Sequence, residues 1–327
     1  MSQKEWQVYK FGGTSMKNAD ALKQVANLIT NSDSDNLIVV VSAMGGMTDD
    51  LLKFSQTKDS KLLEEIETRY SSTIKDLLNG ESNQLSLEDA FKEDINTIKQ
   101  LADQFDYSSV NVEDNPILGF GEIWSSKLLN AYLDSLGEVQ TSWLNPMEFL
   151  IIENQEMGAN VHWSMSKKAF IDCIEGLAGK VIMGGFIASD EDGNPTNLGR
   201  NGSDYSASII GSLSEAKSVT IWTDVDGVLT GDPRVVAKAR IIEQMTYEEA
   251  VELSYFGAEV IHPKTMAPLM HRNMPLYIRN TFNPDSQGTC ISSQIKNIRA
   301  VKGITTIKGI ALVNIEGTGM ILSLIHI

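Results

Sequence analysis

The sequence has 327 residues, 42% of them hydrophobic and 21% charged, enough for one large α/β domain or for one with a smaller companion. Acidic residues outnumber basic ones by 43 to 27, and the net charge of −16 excludes broad attraction to nucleic acid or to anionic membranes. Cys173, Cys290 and the four histidines (162, 262, 271, 326) form no disulfide framework or metal spacing. No signal peptide opens the chain and no apolar run approaches a membrane helix of about 20 residues, so a reducing cytoplasm is the expected compartment.

The first predicted element is a short buried strand over residues 8–11. Gly12, Gly13, Thr14 and Ser15 follow, and Asn18-Ala-Asp then opens a helix with Leu22, Val25, Ala26 and Ile29 on its apolar face. Glycines between a strand and a helix start let backbone amides approach an anion, and the helix adds a partial positive charge. The stretch is neither a Walker loop, which needs its lysine after the glycines, nor a G-x-G-x-x-G fingerprint; here Lys10 precedes the glycine pair, on the strand. Taken alone, the stretch fits a phosphate-binding lysine and a solvated lysine beside a glycine turn equally well.

A β-branched strand in 36–46 ends in a small-residue loop, SAMGG, and the patterns in 179–186 and 217–227 repeat that form. Between them, 60–106 reads as a helical hairpin of structural role, and 118–137 as a helix with Glu122 in its first turn, where a glutamate ordinarily partners the helix dipole. Short strands alternating with helices predict an α/β three-layer sandwich with a central, mainly parallel sheet. Ligands bind such sheets at the carboxyl ends of the strands, so four of these ends converge on one cleft.

In NLGRNGSDYSASIIG (197–211), Ser203 and Asp204 stand where a helix cap is expected. The cluster exceeds what a cap needs. Arg200 offers a planar fork for a carboxylate, the amides at Gly202 and Ser203 suit a phosphate, and Asp204 is a charge partner for Lys10. In WTDVDGVLTGDPRVV (222–236), Asp224 and Asp226 suit ribose hydroxyls or metal-bound water, and Arg234 a nucleotide phosphate; the later positions of a calcium loop are missing. Residues 283–305 are turn-rich and then alternate in strand fashion, as if a second domain begins, and the final ILSLIHI follows no turn or cap logic.

The segments KFGGTSM, VVVSAMGGMTDDLL, GFGEIWSS, LGRNGSDYSA, IWTDVDGVLTGDPRVV and ELSYFGAEVIHPKTMAP span about residues 5–290. Together they resemble the aspartate kinases of the amino-acid-kinase superfamily, especially the kinase portion of the bifunctional aspartokinase–homoserine dehydrogenases. The resemblance implies a catalytic domain over 1–295 and the truncated start of an ACT-like regulatory segment over 296–327. It also implies transfer of the γ-phosphoryl group of ATP, carried with Mg2+, to the side-chain carboxylate of L-aspartate, in a homo-oligomer with no nucleic-acid or membrane partner.

On that resemblance, Lys10 neutralises the phosphates, with Gly12, Gly13, Thr14 and Ser15 as loop contacts. Ser42 and Thr48 hold aspartate, Glu122 accepts its α-ammonium and Arg200 clamps its α-carboxylate. Ser203 and Asp204 close the reacting centre, while Thr223, Asp224 and Arg234 bind nucleotide; no side chain is assigned as a metal ligand. Glu259 stands where the family commonly has a nucleotide-contacting lysine and Leu229 where it commonly has tyrosine, whereas Asn201 in GRNGSD fits the bifunctional subgroup. A carboxylate nucleophile is ionised at neutral pH, its pKa being about 3.9, so the absence of a histidine base is consistent. Two other readings are carried: a kinase for glutamate or acetylglutamate, and an inactive amino-acid-sensing fragment.

Overall fold

A computed structural model describes residues 5–80, 82–107, 112, 115–155, 158–177, 179–255, 261–295 and 301–306. Twelve strands run in chain order: β1 (Gln7–Phe11), β2 (Leu37–Val41), β3 (Thr141–Trp143), β4 (Ile152–Gln155), β5 (Gly158–Val161), β6 (Lys180–Gly184), β7 (Ile187–Ser189), β8 (Pro195–Asn197), β9 (Val219–Thr223), β10 (Gln244–Met245), β11 (Leu276–Asn280) and β12 (Thr289–Ile291). The helices are α1 (Ala19–Thr30), α2 (Met47–Thr57), α3 (Ser60–Leu78), α4 (Ser82–Gln104), α5 (Phe120–Leu136), α6 (Trp163–Ile174), α7 (Gly202–Ser214), α8 (Tyr247–Tyr255) and α9 (Pro263–Met270).

Eight strands form the central sheet in the order β10-β12-β11-β9-β1-β2-β6-β3. From β11 to β3 every neighbouring pair is parallel; β12 alone turns antiparallel to β11, and β10 runs with β12. Strand β2 shows why the sheet is covered on both faces. Leu37, Val39 and Val41 pack into one core with α1, α3, α4 and α5, while Ile38 and Val40 pack into a second with α6, α7 and α9. The alternation of a pleated strand thus divides a continuous apolar run between two helical layers. The hairpin of α3 and α4 belongs to the first layer, through Ile66, Tyr70, Ile74, Phe91, Ile95 and Ile98.

Two local expectations are corrected. Helix α7 has no side-chain cap: its N-cap is Asn201 in the left-handed region (φ 58°), and Ser203 and Asp204 lie inside the first turn. The turn-rich stretch after residue 283 contains β12, because Cys290 donates its amide to Glu243 O and Thr289 pairs with Ile278 across the sheet. The expected strand alternation beyond residue 295 is described only at 301–306, which carries no strand; the rest of the ACT-like segment, and Glu259, lie outside the described residues. No helix among the described residues is long and apolar enough to cross a membrane.

Candidate active site

Strands β1, β2, β6, β9 and β11 all end at one edge of the sheet, in parallel register. The loops that follow them carry Gly12 to Ser15, Ser42 to Gly46, Gly185, Asp224 to Gly227, and Thr281, so the site is built from five strand ends rather than four.

Lys10 occupies the penultimate position of β1. Strand alternation turns it to the same face as Val8, toward α7. Its side chain is 9% exposed and its Nζ lies 2.5 Å from Asp204 Oδ1 in the first turn of α7. The helix comes this close because a glycine follows β6: a Cβ on Gly185 would fall 2.7 Å from the Ser203 Cβ. The two glycine loops are joined in the same way. Gly45 donates its amide to Gly13 O at 3.1 Å, and a Cβ on Gly13 would sit 3.3 Å from Gly45 Cα.

Glu122 opens α5 and is buried, and its Oε2 has no hydrogen-bond partner among the described residues. Burial raises its pKa from 4.5 to about 8, against the pull of the Ala43 and Glu122 amides and the Lys10 charge. It is not the exposed dipole partner that its place in a first turn suggests. Because the folded pKa lies above the unfolded one, folding holds a proton that unfolding releases. This group's contribution to stability is therefore full below about pH 4.5 and falls as the pH rises toward 8. Glu122→Gln, which cannot ionise, is expected to flatten the fall in melting temperature between about pH 5 and pH 8, as read by scanning calorimetry; an unchanged slope contradicts the assignment.

The remaining expected residues divide into two groups. Ser42 donates its amide to Phe11 O at 3.0 Å and is half-buried; Thr48 lies in the first turn of α2, and Thr14 is exposed. Arg200 is exposed just before α7 and makes no hydrogen bond or ion pair among the described residues. Ser15, by contrast, directs its hydroxyl at Thr281 Oγ1, 2.7 Å away, and so braces two loops. Thr223 ends β9 beside the exposed Asp224, with its hydroxyl 3.2 Å from Asp224 Oδ1. Asp226 accepts from Asn280 Nδ2 at 2.7 Å and Asn283 Nδ2 at 3.0 Å, so it orders the loop after β11. Arg234 is 87% exposed and bonded to its own Asp232 at 3.0 Å, with no contact to Lys10, Asp204 or Glu122 among the described residues.

Sequence reasoning missed Asn280 and Thr281. Thr281 donates its amide to Thr223 O and its carbonyl accepts from Gln24, so it links β9, α1 and the loop after β1. The signal was available in LYIRNT, a strand pattern ending in two small polar residues. Among the described residues, no group of three or more His, Cys, Asp or Glu could hold a metal.

A lysine, a buried carboxylate and the start of α7 thus meet at the carboxyl ends of parallel strands, where open α/β sheets bind their ligands. The chain belongs to the amino acid kinase family, whose model matches residues 5–280. It is 39% identical over 335 residues to the chloroplastic bifunctional aspartokinase/homoserine dehydrogenase 1 of Zea mays, covering 96% of this chain and 36% of that protein. It is 36% identical over 321 residues to the bifunctional aspartokinase/homoserine dehydrogenase of Buchnera aphidicola, covering 94% of this chain and 39% of that protein. The chain thus spans little more than a third of the length of these relatives. Among solved structures it is similar to E. coli aspartokinase III in complex with aspartate and ADP, with a TM-score of 0.78 and 27% identity over 90% of this chain and 66% of that one. The complex of the same enzyme with lysine and aspartate gives a TM-score of 0.76 and 26% identity over 89% and 65% of the two chains.

Proposed function

We propose that this chain phosphorylates the side-chain carboxylate of L-aspartate with ATP, giving 4-phospho-L-aspartate. The observation that carries the reading is the buried Glu122 carboxylate, with one oxygen unpartnered, in the same field as the Lys10–Asp204 pair. A buried acceptor without a donor calls for a cationic ligand group, and the α-ammonium of an amino acid is such a group. Arg200, exposed and unpaired at the start of α7, supplies a fork for the α-carboxylate. An N-acetylated acceptor would leave Glu122 without its cation.

In the reaction, one oxygen of the acceptor carboxylate attacks the γ-phosphorus as the bond from that phosphorus to the β-bridging oxygen breaks, and ADP departs. No proton is transferred at the nucleophile, so the protein's tasks are alignment and charge neutralisation. Lys10, held by Asp204, neutralises charge on the transferred group. The amides of Gly12, Ser15 and Gly202 bond within the chain, which leaves those of Gly13, Thr14 and Ser203 as the donors for the phosphates. Thr223, Asp224 and Arg234 serve the nucleotide. Magnesium would arrive on the triphosphate, where it would neutralise phosphate charge.

The proposal includes a catalytic domain over 1–295, an ACT-like segment beginning at 296, a cytoplasmic setting and association into a homo-oligomer, the last read by analytical ultracentrifugation. The 301–306 segment lies against the loop that carries Arg234: Ile304 donates its amide to Thr230 O at 2.9 Å, and Lys302 pairs with Glu249 at 2.6 Å.

The test compares acceptors by coupled ADP release and hydroxylamine trapping. L-Aspartate is expected to give hydroxamate, with L-glutamate and N-acetyl-L-glutamate at least about 100-fold poorer in kcat/KM. Preference for either of the latter, or ADP release without any acyl product, contradicts the proposal. Because Glu122 must be ionised to receive an ammonium, the KM for aspartate is also expected to fall as the pH rises from about 6.5 to about 8.

A further inference from the structure

The helical hairpin, structural by its sequence pattern, reaches into the site through one side chain. Arg69, midway along α3, donates from Nη2 to the Gly45 carbonyl at 2.5 Å, and its Nη1 lies 3.7 Å from Asp50 Oδ2. Gly45 also donates its amide, which belongs to the preceding peptide, to Gly13 O, so the guanidinium grips the peptide next to the one that ties the loop after β2 to the loop after β1. The next residue, Gly46, takes φ 81°, and the chain enters α2 directly from it. Two successive glycines have the weakest intrinsic backbone restraint, so the orientation of this peptide has to be imposed from outside. The arm that imposes it stands on a rigid base: neighbouring Tyr70 is fully buried and donates its hydroxyl to Trp124 O at 2.7 Å.

We propose that Arg69 is a positioning residue of the phosphoryl-acceptor site. Its fork fixes the peptide between Gly45 and Gly46, and through it the side chains of Ser42 on one side and Thr48 on the other. A fork is suited to the task because its two terminal nitrogens reach separate partners, the Gly45 carbonyl and the Asp50 carboxylate. The inference rests on the reading of the 42–48 loop as the acceptor loop.

The experiment uses Arg69→Gln in the full chain, with two independent readouts. In steady-state kinetics the KM for L-aspartate is expected to rise about tenfold, the size of one charge-assisted hydrogen bond, while the KM for ATP stays within about twofold. In hydrogen–deuterium exchange without ligands, amides over 44–50 are expected to exchange about tenfold faster while the melting temperature moves little, since Arg69 is 35% exposed. Unchanged exchange over 44–50, or a joint rise in both KM values, overturns the proposal. If the parent chain shows no aspartate turnover, the functional reading fails, and exchange alone still decides whether Arg69 positions the loop.

Discussion

Lys10→Ala is expected to lower kcat by about 10³-fold or more while the protein remains folded. The lysine is carried by strand β1, not a loop, and on the proposed reading it faces the transferred phosphoryl group. Its Nζ lies 2.5 Å from Asp204 Oδ1. Removing a single preorganised donor of this kind typically costs 10²–10³ in rate, and a full cation facing a polyanion costs more. The fold should tolerate the change. Val8 and Phe11 still hold β1 between β2 and β9, and Asp204, 23% exposed, retains contact with water. The expected loss of stability is about 2 kcal/mol, within the ordinary range of single substitutions. Circular dichroism and urea unfolding check the fold, and trapping of the acyl phosphate checks the rate. Turnover within about tenfold of the parent would mean that Lys10 serves only to pair with Asp204.

Arg200→Ala should behave differently. The residue is exposed and makes no ion pair or hydrogen bond among the described residues, so its loss should change stability by less than about 0.5 kcal/mol. Its predicted work is to grip the α-carboxylate of the acceptor with two parallel charge-assisted hydrogen bonds. Losing both corresponds to a rise of about 100-fold or more in the KM for aspartate. The KM for ATP is expected to stay within about threefold, since the proposed phosphate donor at the start of α7 is the backbone amide of Ser203, which the substitution leaves in place. Equal weakening of both substrates contradicts the clamp, and so does a pure kcat effect.

Much of this arrangement was legible before any coordinates. Continuous β-branched runs ending in glycine loops announce buried parallel strands, and alternation along 8–11 alone puts Lys10 on the face of Val8. What stayed hidden depends on tertiary packing. Glu122 carries the ordinary signature of a helix-dipole partner, and only the approach of β6, where a Cβ on Gly184 would lie 3.1 Å from the Glu122 Cβ, shows that its carboxylate is buried. Asn201 caps α7 through backbone conformation rather than through its side chain, so the Ser–Asp pair that looked like a cap lies inside the helix. Ser15 and Thr281 are 266 residues apart, and no local pattern could pair their hydroxyls. Arg69 lies on an amphipathic helix whose spacing describes its buried face and is silent about what an arginine at the edge of that face touches.

The central claim is that a carboxylate oxygen of the acceptor itself attacks the γ-phosphorus. L-Aspartate labelled with 18O in its side-chain carboxylate, incubated with ATP and the protein and then trapped with hydroxylamine, tests this most directly. The nucleophilic oxygen ends on phosphorus, and hydroxylamine displaces phosphate at the carbonyl carbon. The account therefore predicts aspartyl hydroxamate together with inorganic phosphate carrying one 18O atom. Unlabelled phosphate, with water as the attacking group and no hydroxamate formed, would contradict it.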